Sequence, residues 1–140
     1  MLQALGTMNQ HQVFLIGGSD DETAIFTEEE ANGLCRLLCE YRGKVISSAA
    51  QDYFEALSDI RLELEKENLI PFCYGASLNV FPSNMARDMG RGKAAYKMEM
   101  GKPAGRESLV RIFEQGADVI PSSVSRQKEY FSDWLASLRG

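Results

Sequence analysis

The sequence predicts an α+β fold: a small, mostly antiparallel sheet packed against two long helices, with a C-terminal helix closing the core. Three observations point there. Short apolar runs bounded by glycine and polar turn residues read as strands, two stretches in the first half keep helical spacing, and a third such stretch ends the chain. At 140 residues, with 44% hydrophobic and 25% charged side chains, the chain has the size of one ordinary domain and enough apolar material to bury a core. No repeat, low-complexity tract or long linker divides it, so residues 1–140 are read as a single domain.

Residues 1–10 read as a flexible N-terminal extension, in which Met8 is an alternative start. They carry no basic leader and no long apolar core, and no run elsewhere approaches the length of a membrane span, so a cytoplasmic protein without a membrane partner is expected. Val13–Ile16, stopped by Gly17-Gly18, and Thr23–Phe26 read as the two strands of a hairpin with a polar loop between them. Thr27 then opens a predicted helix by capping-box logic, with Glu30 three residues on and Ala31, Leu34, Cys35 and Leu38 as the inward stripe up to Arg42-Gly43. A second, longer helix is predicted from about Ser47 to Asn68, its apolar positions including Ala50, Phe54, Leu57, Ile60 and Leu64, with the stem of Arg61 along the edge.

The stretch from Leu69 to Gly105 stands apart. Leu69–Tyr74 reads as a buried strand, and Pro71, lacking an amide donor, places it at an edge. A structured loop follows, in which Ser83 or Asn84 caps a helical turn over Met85–Met89 that stops at Gly90-Arg91-Gly92. Ala94–Met100 alternates as a half-buried strand with Tyr96, Met98 and Met100 on one side. Between Arg87 and Arg106 six basic residues face two acids, a local +4 on a chain of −5, so the remainder carries −9. A basic, glycine-rich island offers an anion site, and its candidate residues are Ser77, Asn79, Ser83, Asn84, Arg87, Asp88, Arg91, Lys93 and Tyr96. Solvating charges on an exposed loop are the plainer account of any one of them. Past this stretch, a short helix is predicted over Arg106–Phe113 and an extended crossing at Val119–Pro121. Ser122 or Ser123 then opens the last helix, with Val124, Gln127, Phe131, Trp134, Leu135 and Leu138 on its inner face.

Catalytic templates fail against these residues. There is no GxSxG elbow, no HExxH, no GxxxxGK[ST] and no GxGxxG after a strand, and Gly90-Arg-Gly-Lys93 lacks the spacing and the hydroxyl of a phosphate loop. The sole histidine, His11, sits close to the predicted N-terminal extension, which argues against a histidine base. Three cysteines are an odd number, against a disulfide framework. Cys35, Cys39 and Cys73 with His11 make a four-ligand set only without the tight CxxC knuckle of structural zinc, so small buried hydrophobes are the better account, and no metal or cofactor is expected. A pI near 4.9 argues against duplex nucleic acid.

Two function classes remain. The first is a non-enzymatic protein-binding domain of the immunity or regulatory type, acting by covering a protein partner such as a bacterial toxin. This is an analogy at the level of class: small acidic α+β domains without a catalytic set often work by covering a partner, and immunity proteins that neutralise a bacterial toxin have this general character. Its expected partner faces are acidic: Asp20, Asp21 and Glu22 on the first hairpin, Glu28 to Glu30 at the start of the first helix, and Asp52, Glu55, Asp59 and Glu63 along the second helix, which would steer a cationic partner. Homo-oligomerisation stays open. The alternative is a phosphate- or nucleotide-handling enzyme using the basic loop 75–106, with Asp88 as base.

Overall fold

The computed structural model describes residues 9–139. Four strands run up and down in chain order, β1 (Gln10–Ile16), β2 (Thr23–Ala31), β3 (Leu34–Tyr41) and β4 (Lys44–Ala50). A two-residue strand, β5 (Ile70–Pro71), joins beyond β1, giving an antiparallel sheet of order β4-β3-β2-β1-β5. The α+β class holds, as do the first hairpin and the edge position of the proline-bearing strand. Of the expected N-terminal extension, residues 9 and 10 belong to the fold: Gln10 opens β1 and the Asn9 carbonyl accepts from the Glu28 amide, while residues 1–8, with the Met8 start, lie outside the described residues.

The predicted helix over Thr27–Arg42 is instead the β2–β3 hairpin. Both of its periods are present in the residues: Ala31, Leu34, Cys35 and Leu38 fit a helix, whereas Cys35, Leu37, Cys39 and Tyr41 alternate and are all buried on one face of β3. Period two wins because two tight turns allow it. Asn32-Gly33 and Arg42-Gly43 each place two consecutive residues at positive φ, the geometry that matches strand twist, so β2 pairs β3 and β3 pairs β4 over seven residues each without a break.

The second helix is shorter than predicted, because Ser47–Ala50 complete β4. Helix α1 spans Tyr53–Glu65, capped by Asp52, whose Oδ1 accepts the Glu55 amide at 2.8 Å. The first half therefore holds one long helix. Its apolar side, Leu57, Ile60 and Leu64, packs on the inner face of the sheet with Phe26 and Leu37 in a single core. The far side of α1 receives a 3-10 turn at Tyr74–Ala76 and a small antiparallel sheet of β6 (Val80–Phe81), β7 (Ala94–Lys97) and β8 (Leu109–Arg111). Strand β8 replaces the helix expected over 106–113, of which only a 3-10 turn at Arg106–Ser108 forms. In β7 it is Ala95 that enters the core, and the strand ends before Met98. Two further helices, α2 (Asn84–Gly90) and α3 (Val124–Ser137), carry the predicted caps: the Ser83 hydroxyl accepts the Ala86 amide and the Ser123 hydroxyl the Arg126 amide.

Arg61 is not at an edge but 1% exposed, at the centre of this packing. Its guanidinium donates to the carbonyls of Gly75 (3.0 Å) and Ser122 (2.9 Å) and to Gln127 Oε1 (2.6 Å), and Gln127 Nε2 in turn donates to the carbonyls of Gly75, Ser77 and Val80. Burial pulls its pKa down to about 10, so the side chain stays cationic at neutral pH, held by carbonyl dipoles. Cys35, Cys39 and Cys73 are buried free thiols, as expected of small hydrophobes.

Candidate functional site

The basic stretch was the strongest site signal in the sequence, and in the structure five of its six cations pair with acids, four of the five half-buried. Helix α2 ends where Arg91 (φ 59) and Gly92 (φ 72) take left-handed conformations, and the loop then presses on the start of α1. A Cβ on Gly92 would lie 2.6 Å from Asp52 Oδ1, so glycine is required there, and the Arg91 carbonyl accepts the Tyr53 amide at 2.8 Å. Around that contact each cation finds an acid. Arg87 donates to Asp52 Oδ2 at 3.0 Å and lies over the rings of Phe54 and Phe81, Arg91 is 3.6 Å from Glu30, and Lys93 is 2.9 Å from Glu28 and lies over Tyr53. Lys97 pairs with Asp118 and Lys102 with Glu99.

The other predicted residues separate. Ser77 is fully buried, donating to Asn79 Oδ1 (3.0 Å) and accepting the Ile120 amide (2.9 Å), which makes it a loop lock. Ser83 caps α2, and Asn84 and Asp88 are exposed upon it. Asn79, Ser83 and Tyr96 instead border one groove between the small sheet and α3. Its polar end, about 610 Å³, is lined by Asn79, Lys97, Lys102, Glu107 and Tyr130, and its apolar end, about 320 Å³, by Phe81, Tyr96, Phe131 and Trp134. Met98 and Pro103 line both ends. The turn over it is tied down, because Trp134 Nε1 donates to the carbonyls of Glu99 (3.1 Å) and Lys102 (2.9 Å), and Ser137 accepts the Gly101 amide (2.8 Å).

His11 sits in β1, not in a frayed end. Its Nε2 is 2.6 Å from Glu28 Oε2, and its ring stacks on Phe113 at 4.4 Å. Glu28 is thereby shared between His11 and Lys93. Burial opposes its charge, but the two hydrogen bonds and the Lys93 charge outweigh it and hold the carboxyl below its ordinary range. A cavity of about 100 Å³ adjoins, completed by Arg111, Phe113 and Glu114. No hydroxyl or thiol lines it, and a carboxylate engaged at both oxygens is a weak base, so the arrangement bolts the large sheet to the small one. Among the described residues no three His, Cys, Asp or Glu side chains converge as a metal-holding group.

The acidic residues also divide. Asp20 and Asp21 stand exposed at the β1–β2 turn, while Glu22 folds back onto Arg42 and the Ser19 amide, bonds that hold its carboxyl down to about 2. Asp52 is buried by Arg87 and does not join the outward row. Glu55, Asp59 and Glu63 do, with Asp59 Oδ2 accepting the Ser48 hydroxyl of β4 at 2.8 Å and Glu63 beside Lys66. What sequence reasoning missed is the outer face of the five-stranded sheet. Once Thr27–Arg42 is a hairpin, that face exists, and it carries Phe14, Ile16 and Val45 at 44%, 43% and 61% exposure, with Ile25 and Leu38 between them. The signal was the Asn-Gly pair at 32–33. Among the described residues no helix is long and apolar enough to cross a membrane. No protein-family model and no curated protein matches this chain.

Proposed function

We propose that this protein is a non-enzymatic binding domain of the immunity or regulatory type, which acts in the cytoplasm by covering a cationic protein partner such as a bacterial toxin. The observation that carries it is the one-sided sheet. The helices and the small sheet pack on the inner face, leaving apolar side chains of β1 and β4 in solvent on the outer face, while the acidic row Glu55, Asp59 and Glu63 flanks the β4 edge from the inner side, where Asp59 bonds Ser48. Exposed apolar positions on one face together with an acidic flank at the sheet edge fit a cationic protein partner. The pairing of Arg87, Arg91 and Lys93 with acids weighs against the alternative, a phosphate-handling enzyme using loop 75–106, since a phosphate would have to displace those carboxylates.

The test is capture of partners from native lysate by the tagged chain, alongside thermal melts with nucleotides and phosphorylated metabolites. One stoichiometric protein partner, released by raising salt, is the expected outcome. Recovery of no partner together with stabilisation by a phosphorylated metabolite overturns the reading.

A further inference from the structure

The two edges of the five-stranded sheet are built differently. The β5 edge is two residues long and contains Pro71, the features that keep an edge from pairing. The β4 edge has seven residues, no proline and no bulge, in unbroken register with β3. Its one charged residue, Lys44, is drawn onto Glu67 at 2.9 Å and over the Tyr41 ring. The two-residue turn at Arg42-Gly43 makes Tyr41 and Lys44 a hydrogen-bonded pair, so the alternation of the ladder directs the amides and carbonyls of Val45, Ser47 and Ala49 away from β3. Among the described residues no backbone hydrogen bond joins residues 44–50 to any segment but β3.

Acids lie along this open edge. Asp59 is bonded to Ser48, Glu55 and Glu63 lie one turn to either side of it on α1, and Glu40 is exposed opposite Val45. We propose that β4 accepts an additional antiparallel or parallel strand from a cationic protein partner, its backbone satisfied by Val45, Ser47 and Ala49 and its lysines or arginines placed over Glu55, Asp59 and Glu63. A second copy of this chain is the poorer occupant, because β4 against β4 brings one acidic row against another. The inference rests on the binding reading above and adds its mode, strand addition.

The experiment uses the full chain, a short peptide of alternating lysine and valine, its glutamate and valine counterpart, and the variant Ser47→Pro. This proline removes an outward donor at an edge position, where the fold tolerates it, and an unchanged far-UV spectrum and melting temperature establish that. The lysine peptide is expected to bind, to protect the amides of Val45, Ser47 and Ala49 from hydrogen exchange, and to bind Ser47→Pro about tenfold more weakly, while the glutamate peptide does not bind. Should Ser47→Pro misfold, Ser47→N-methylalanine introduced by ligation removes the same donor. Peptide binding without protection of the β4 amides, no binding, or self-association of the wild-type chain that Ser47→Pro abolishes each overturns the proposal. A lysate partner captured equally by Ser47→Pro also overturns strand addition while leaving the binding function standing; capture of no partner is the separate failure of that function.

Discussion

The acidic first half and the basic second half of the chain use charge in opposite ways. Residues 1–68 hold 13 acidic and 5 basic side chains, a net −8, and residues 69–140 hold 7 acidic and 10 basic, a net +3. Cations of the second half reach back across the layer boundary: Arg87 to Asp52, Arg91 to Glu30, Lys93 to Glu28. What remains facing water on the flank of α1 is Asp59 and Glu63, which these cations do not reach, and Glu55, which Arg87 approaches to 3.6 Å. Net charge along a sequence therefore measures the field a chain can make, whereas the fold decides which charges are left to act on a partner. The basic island is mortar between layers, and the acidic excess is what the surface shows.

The sharpest break of that comparison is at the deepest cation. Arg61→Met removes the donor from the Ser122 carbonyl and from Gln127 Oε1, and is expected to cost about 3–5 kcal/mol of stability by urea denaturation, with the folded fraction reporting on the whole domain. Next is Asp52→Ala, which removes a helix cap and leaves Arg87, over two aromatic rings, with only Glu55 at 3.6 Å as a partner. About 2–4 kcal/mol is expected, with Asp52→Asn recovering the capping part, roughly 1 kcal/mol.

Glu28→Gln is expected to cost about 2–3 kcal/mol at neutral pH. Its pH dependence fixes the cause. The folded-state pKa of Glu28 lies below its ordinary 4.5, so the stability it contributes is complete above that pH and is lost as pH falls through the depressed folded value. The urea midpoint of the wild type should accordingly drop more steeply below pH 4.5 than that of Glu28→Gln, and parallel curves would show that the bolt holds by packing alone.

The smallest effect on stability belongs to the outer row. Glu55→Gln, Asp59→Asn and Glu63→Gln should each change stability by no more than about 0.5 kcal/mol, since exposed charges contribute little. Together they should slow association with a cationic partner of the proposed kind by about tenfold at low salt and flatten its salt dependence, as read by stopped-flow mixing. A large loss of stability with no change in association rate would place these acids with Glu28 and Asp52 instead.

Features specified by neighbours in sequence were legible in the chain. Ser123 and Ser83 as caps, the Pro71 edge and the β1–β2 hairpin need only a few adjacent residues, and each lies where it was read. The β2–β3 hairpin failed because Leu34–Tyr41 satisfies both periods and Thr27 with Glu30 imitates a capping box. The Asn32-Gly33 and Arg42-Gly43 turns carried the deciding information, since they alone let the chain reverse within two residues. The site was less legible for a different reason. Glu28 meets His11 and Lys93, and Arg61 meets Gln127, across 17, 65 and 66 positions, so their burial follows from pairings that no local pattern announces. The open face and free edge of the sheet could not be read until Thr27–Arg42 was known to be strand.

The three enclosed thiols make this chain its own clock. Burial raises the pKa of Cys39 to about 12 and that of Cys73 to about 11, so neither offers a thiolate while the domain is closed. An alkylating reagent therefore marks a molecule only when it opens, and the mass added over time, with no engineered probe, counts those openings. Clamping of β4 by a bound strand would register there as a slower tick at Cys39, its neighbour across the ladder at Ile46, than at Cys73 on the far side of α1.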